Sequence, residues 1–309
     1  MSSSSTVLSG VFSPVLTPFS AGLQPDIPRF LEHCKSLLAH DVGLAIFGTN
    51  SEANSMGLSE KRRLLDALLE NGLPPLRMMP GTSACSIPES IEMTRHAVVS
   101  GCAAALMLPP FYYKGVGDEG LFRYFASVIE GVADQRLRLY LYHIPPVSQV
   151  GISHALIERL LHAFPGTVAG IKDSGGDWSN TESLIRNFQP AGFQVFAGTE
   201  TILLDTMKAG GAGCITATAN VNAAEIMSLY RSWRNADAKD RQARINRKRA
   251  AFQAYPLISA MKAAIAWETG VPEWGIVRPP LVELTVQQSR QLRLELEKLE
   301  PAAPQAMPG

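Results

Sequence analysis

Short apolar runs alternate along the chain with longer segments whose apolar residues recur every three to four positions, a rhythm that persists to about residue 220. The runs are residues 10–16, 43–47, 76–80, 103–108, 137–144, 167–171, 194–197 and 213–216. Each is bounded by Gly or Pro and is too short for a typical helix, so each reads as a strand. Their centres recur about every 29 residues, near the length of one βα unit. The segments between them carry helix signals. Ser86-Ile-Pro88-Glu89 has the form of a capping box with Pro in the first turn, opening a helix that stops near Ser100-Gly101. Asp118 is placed to cap residues 119–129, Ser153 to cap 155–161, and Ser59 to cap 60–69. Eight strands, each followed by a helix, predict an α/β fold, the (β/α)8 TIM barrel. An open doubly wound sheet is the competitor, because eight parallel strands do not by themselves prove closure.

After Asn220 the strand signals disappear, and residues 223–234, 238–252, 256–268 and 286–299 look helical. The expected organisation is a flexible N-terminus over 1–9, a barrel over 10–222, a C-terminal helical extension over 223–300 and a frayed tail over 301–309. The second of these helices holds Lys239, Arg241, Arg244, Arg247, Lys248 and Arg249. With no aromatic residues interleaved, that stretch reads as a solvated helix face rather than a nucleic-acid contact. The 28 Lys+Arg balance 28 Asp+Glu, and zero net charge argues against a nucleic-acid or anionic-membrane partner. A hydrophobic share of 46% against 18% charged residues excludes disorder. Cys34, Cys85, Cys102 and Cys214 lie far apart with no metal-ligand spacing, so they read as thiols in a reducing compartment. The opening Met-Ser-Ser-Ser-Ser-Thr lacks the basic start of a signal peptide, and no run approaches the roughly 20 apolar residues of a membrane span. A cytoplasmic location is expected.

In a barrel the reacting groups sit at the C-terminal ends of strands and in the loops after them. Lys172 ends the apolar stretch Val168-Ala-Gly-Ile171. A desolvated lysine amine attacks a carbonyl carbon, and the resulting imine is an electron sink for cleaving or forming the neighbouring C–C bond. The plainer alternative is a lysine paired with Asp173 or Asp177, snorkelling at a strand end. Tyr140 and Tyr142 share one strand face, and a phenol near the imine would shuttle protons; equally, Tyr142 would serve to fill the barrel. His143 points to the other face and reads as structural. Thr49, Asn50 and Ser51 offer hydroxyls, an amide and successive N–H groups suited to a small carboxylate, or simply form an ordinary turn. Gly210-Gly211-Ala-Gly213 precedes a strand instead of following one, so it reads as a tight turn and not as a dinucleotide fingerprint.

These residues resemble the dihydrodipicolinate synthase and N-acetylneuraminate lyase family of class I aldolases. The family's G-[TS]-T-G-E motif stands here as Gly48-Thr49-Asn50-Ser51-Glu52, and its Y-N-[IV]-P as Tyr142-His143-Ile144-Pro145. Its G-x-K-[DE]-[ST]-S-G-D stands as Gly170-Ile-Lys172-Asp173-Ser174-Gly175-Gly176-Asp177, and Gly213-Cys-Ile215-Thr216-Ala-Thr-Ala219-Asn220 is similar to its strand-8 sequence. The resemblance implies a Schiff base between Lys172 and pyruvate or another 2-oxo acid, with no separate cofactor and no metal. It implies that Tyr142 relays protons, that Thr49 and Asn50, with Ser51 in the same loop, bind the substrate carboxylate, and that Gly198 and Ile215 lie beside the ligand. Tyr113 matches a tyrosine that, in the synthases, reaches into a neighbouring subunit's site, which implies a homodimer or homotetramer. Two departures stand out. Asn50 and Ser51 replace a Thr and a Gly of the carboxylate loop. Val147 occupies the position where dihydrodipicolinate synthases carry an Arg that grips the aldehyde partner's carboxylate.

The expected function is therefore a Schiff-base lyase, an aldolase or dehydratase, outside the standard synthase reaction. A genuine 4-hydroxy-tetrahydrodipicolinate synthase is the alternative. A non-catalytic sugar-acid binding barrel has no use for both Lys172 and Tyr142. A metal-dependent aldolase would want clustered ligands, whereas His33, His40, His96, His154 and His162 fall mostly on helical segments.

Overall fold

Seven strands pair in parallel: β1 (Gly10–Ser13), β2 (Gly43–Leu44), β3 (Ala105–Met107), β4 (Leu139–His143), β5 (Val168–Asp173), β6 (Gln194–Ala197) and β7 (Gly213–Ile215). Their order is β2-β1-β7-β6-β5-β4-β3. The computed structural model describes residues 8–299. The expected flexible N-terminus (apart from Leu8 and Ser9) and the frayed tail therefore lie outside the described residues.

The eighth expected strand, 76–80, is corrected. Pro75–Arg77 forms a 3-10 turn, and two isolated parallel bridges follow it, Leu44 with Met78 and Gly81 with Leu106. Pro80 has no N–H to donate, so it interrupts the ladder. This segment nonetheless joins the two free edges of the sheet. Met79 and Gly81 N–H groups donate to the Leu44 and Ile46 carbonyls on one side, at 2.8 and 2.7 Å, and Leu106 N–H donates to the Pro80 carbonyl at 2.8 Å on the other. A Cβ at position 81 would stand 2.2 Å from the Phe47 carbonyl oxygen, so only glycine lets the chains approach this closely. The sheet closes into a barrel, and the open-sheet alternative falls.

Helices follow the strands: α1 (Ile27–Ala39), α2 (Leu58–Glu70), α3 (Ile87–Val99), α4 (Asp118–Val132), the short α5 (Pro145–Ser148), α6 (His154–Ala163), α7 (Trp178–Phe188), α8 (Leu203–Ala209) and α9 (Ala219–Ser232). Ser86 and Ser153 cap α3 and α6, their hydroxyls accepting from the Glu89 and Leu156 N–H groups. Two expected caps move. The cap position of α2 is Gly57, whose N–H donates to the Glu60 carboxylate at 2.9 Å, leaving Ser59 inside the first turn. Gly117 takes the cap position of α4, and Asp118 is its first residue, where a carboxylate complements the helix dipole and accepts from the Ser153 hydroxyl.

The interior is layered. Phe12, Met79, Leu106, Tyr140, Phe196 and Ile215 are among the side chains filling the barrel, and larger apolar clusters lie between sheet and helices. A fourth cluster joins Leu16 and Ala217, beyond the C-terminal ends of β1 and β7, to α10 (Ala238–Gln253), α11 (Leu257–Thr269) and α12 (Val286–Leu299). The helical extension thus packs over the end of the barrel where the strands terminate. Asn220 ties the same corner: its Oδ1 accepts from Leu16 N–H at 3.0 Å, and its amide nitrogen donates to the Ala217 carbonyl at 2.7 Å. No helix among the described residues is long and apolar enough to cross a membrane.

Candidate active site

Parallel pairing of β4 with β5 sets Tyr142 directly opposite Lys172. Lys172 is 2% exposed, and its Nζ lies 4.1 Å from the centre of the Tyr142 ring. The Tyr142 hydroxyl is 3.3 Å from Thr49 Oγ1. The two strand tyrosines behave differently although both are buried. Burial pushes the Tyr140 hydroxyl up. Burial also pushes Tyr142 up, but the Lys172 charge and hydrogen bonds with Thr49, Lys172 and Ser174 outweigh it and hold that phenol below the ordinary tyrosine value. Gly170 makes this layer possible, since a Cβ there would meet the Tyr140 ring at 2.4 Å.

Neither candidate partner holds Lys172 in an ion pair among the described residues. Asp173 accepts from Gly175 N–H, Asn180 and Thr181, and Asp177 caps α7 through Ser179. His143 is structural as expected, its Nδ1 accepting from Ile152 N–H at 3.0 Å.

The loop after β2 is a 3-10 turn over Thr49–Ser51. Thr49 and Asn50 face the cavity, and their N–H groups take no part in the turn's own bonds, which start from Ser51, Glu52 and Ala53. Ser51 is a correction. It is fully buried, and its hydroxyl accepts from Gly48 N–H at 3.1 Å, which closes the turn instead of facing a ligand. Glu52, in the left-handed conformation with φ 56°, was visible in the motif but carried no expected role. Its carboxylate is buried between Lys262 Nζ and the Arg278 N–H, which anchors the loop to the helical extension.

These groups open into one cavity of about 640 Å³, lined by Thr49, Asn50, Tyr142, Lys172 and Gly198 at its barrel end. Gly198 lies against Ser174, where a Cβ would come within 1.9 Å of the Ser174 Oγ. Ile215 is buried in the same barrel-interior cluster as Tyr142, and Ala217, two residues further on, is among the residues lining the cavity. Tyr113 does not reach the cavity of its own chain; it is 72% exposed and packs edge-on against Tyr112. Val147, 62% exposed on α5, lines the outer wall.

Another part of the lining comes from α10, which brings in a residue the sequence reading assigned to solvent. Arg249 is 8% exposed and borders the cavity. It shares a buried face with Ile245 and Phe252, and that spacing of four and three was the available signal.

The Dihydrodipicolinate synthetase family model matches residues 7–299. This chain belongs to that family. A 4-hydroxy-tetrahydrodipicolinate synthase of Thermus thermophilus is 33% identical over 94% of this chain and 95% of that one. Among solved structures, dihydrodipicolinate synthase from Agrobacterium tumefaciens superposes with a TM-score of 0.86 at 31% identity, covering 94% of this chain and 99% of that one. An Escherichia coli prophage protein of the dihydrodipicolinic acid synthase family, solved with pyruvate, superposes with a TM-score of 0.85 at 26% identity, covering 94% and 98%. As a member of the dihydrodipicolinate synthetase family, the chain is a class I, lysine-dependent lyase of aldolase type. No group of three or more side chains able to hold a metal occurs among the described residues.

Proposed function

We propose that the chain forms a Schiff base between Lys172 and pyruvate or another 2-oxo acid, and that its reaction differs from standard dihydrodipicolinate synthesis. The observation that carries the first part is the contiguous set of Lys172, Tyr142 and Thr49 at the floor of one cavity. The Lys172 amine attacks the 2-carbon of the oxo acid, water leaves, and a protonated imine forms. Breaking the adjacent C–C or C–O bond then gives or takes an electron pair through that imine, and the Tyr142 hydroxyl, bonded to Thr49, carries protons in and out. The Thr49 hydroxyl and the free N–H groups of Thr49 and Asn50 receive the 1-carboxylate. Pyruvate bound in the related Escherichia coli protein supports this class of ligand.

The second part rests on Val147, an apolar side chain on the outer wall where the synthases present an Arg. Losing one charge-assisted contact to a desolvated carboxylate removes on the order of 2–4 kcal/mol of binding. The exposed Tyr112–Tyr113 pair fits a contact with a second copy of the chain, as in a homodimer or homotetramer.

The test is reduction with borohydride in the presence of pyruvate, followed by peptide mapping. The expected result is an adduct on Lys172. No adduct with pyruvate or a panel of 2-oxo acids refutes the imine, and turnover of pyruvate with aspartate semialdehyde at a biosynthetic rate refutes the departure from the synthases.

A further inference from the structure

The cavity of about 640 Å³ is far larger than pyruvate needs and is of the size that encloses a substantial organic ligand. Beyond the floor its wall is drawn from several separate elements. Pro146 and Val147 come from α5, Trp178 opens α7, Ile202 lies in the turn after β6, Leu257 opens α11, and Leu281 belongs to the segment before α12. Large apolar side chains from distant parts of the chain thus converge on one space. Polar side chains share the wall, and they make hydrogen bonds within the protein. The Arg249 guanidinium donates to the fully buried Glu200 at 3.2 Å. Asp177 accepts from the Ser179 N–H and hydroxyl at 2.9 and 2.8 Å. The Thr199 hydroxyl accepts from Thr201 N–H at 3.3 Å and bonds the Thr201 hydroxyl at 3.1 Å. Ser259 donates to the Val282 carbonyl, and Thr181 to Asp173, both at 2.7 Å. Gln253 is the exposed last residue of α10.

A charged or hydroxylated group entering this space sheds its water, while the polar atoms of the wall already hold partners of their own. An apolar group sheds water at a gain that grows with the area it buries. We propose that the far end of the substrate is uncharged and apolar, so that this enzyme cleaves, and in reverse forms, 4-hydroxy-2-oxo acids carrying a bulky apolar group, such as a phenyl ring, at carbon 4. The inference rests on imine formation at Lys172, and it makes Val147 and Trp178 specificity-determining residues. In the cleavage direction the bond between carbons 3 and 4 breaks and its electron pair moves into the protonated imine, giving an enamine. The 4-hydroxyl passes its proton to the Tyr142 oxygen as the apolar aldehyde leaves. Carbon 3 then takes a proton back from Tyr142, and water hydrolyses the imine to release pyruvate and restore the lysine amine.

The test measures kcat/KM for pyruvate release by the full-length enzyme from three 4-hydroxy-2-oxo acids. Their far ends carry a phenyl group (4-hydroxy-2-oxo-4-phenylbutanoate), a hydroxylated chain (2-keto-3-deoxygluconate) and a carboxylate (4-hydroxy-2-oxoglutarate). The phenyl acid should lead both others by about tenfold to a hundredfold, the range a hydrophobic pocket achieves. Trp178→Ala removes the largest apolar side chain of the wall and should cut that lead several-fold. Val147→Asp, at a position 62% exposed, sets a negative charge in the wall and should do the same if the alanine variant fails to fold. Release from the sugar acid or the diacid as fast as from the phenyl acid overturns the proposal, as does a lead that survives both substitutions. So does failure to cleave the phenyl acid by an enzyme that borohydride traps with pyruvate on Lys172. Absence of any Lys172 adduct overturns the underlying imine reading instead, so the two failures are told apart.

Discussion

Removing the Lys262 ammonium should loosen the carboxylate loop from a distance. Lys262 and Glu52 are 210 positions apart, and neither side chain exposes any surface. Lys262 Nζ also donates to the Ile276 carbonyl at 2.8 Å, and the Arg278 N–H donates to Glu52 at 2.8 Å. In Lys262→Met, Glu52 keeps only the backbone donor, and a buried charge stripped of its partner costs about 3–5 kcal/mol. The double variant Glu52→Gln/Lys262→Met removes the stranded charge, so it should recover about 2–3 kcal/mol of that loss. Urea denaturation followed by circular dichroism, with m unchanged, reads both numbers as shifts in midpoint. The pH dependence supplies a separate check. Burial holds Lys262 down at about 8, below its ordinary value of 10.5. Between those values the unfolded chain binds more protons than the folded one, so stability rises with pH across that window, by at most about 3 kcal/mol. Lys262→Met should lack that rise. A single variant within about 1 kcal/mol of the parent, or a double variant worse than the single, refutes the strut.

Two further outcomes follow from the same geometry. Tyr142→Phe keeps the ring beside Lys172 but removes the hydroxyl, so turnover should fall about 100- to 10,000-fold while pyruvate is still trapped on Lys172; loss of trapping instead of turnover would show that the ring positions the lysine and the hydroxyl carries no proton. His33, buried beside Trp274 with Nε2 2.9 Å from Asn220 Oδ1, is held below the ordinary histidine value by burial, which outweighs that hydrogen bond. The unfolded chain alone takes up the proton as pH falls below 6.5, so stability is full above 6.5 and is lost below it, with a slope of at most about 1.4 kcal/mol per pH unit; denaturation midpoints at several pH values should show a flatter curve for His33→Gln, and parallel curves refute the assignment.

Barrel and floor were legible because both are written in short-range pattern. A strand of alternating faces placed Tyr140 and Tyr142 together, and glycine at 170 and lysine at 172 sit where close strand packing and a strand end require them. What escaped was set by atoms far apart in the chain. Ser51 looks like any ligand-facing serine until its hydroxyl is seen to cap Gly48. Residues 76–80 have the apolarity of a strand, and one proline reduces them to two bridges without opening the barrel. Arg249 lay in a run of basic residues, where composition argues for solvent; only the spacing of Ile245, Arg249 and Phe252 pointed inward. Its counter-ion lies 49 positions away, and that of Glu52 lies 210 away. Local periodicity reports which face is buried, not which charge on that face finds a partner.

The separation of floor from wall has a consequence for how such an enzyme changes its substrate. Lys172 and Tyr142 sit opposite each other on paired strands, where a shift of one residue would turn either away from the cavity, and the Thr49 turn lies in the loop after β2. Val147 and Arg249 sit on helices, α5 and α10, that meet the cavity from outside the sheet. A substitution there alters the outer wall of the cavity and leaves the pairing of Tyr142 with Lys172 in place. The balanced surface of the chain fits the proposed function: a small anionic substrate met by buried groups at the cavity floor, where low dielectric makes each of them count, needs no basic exterior.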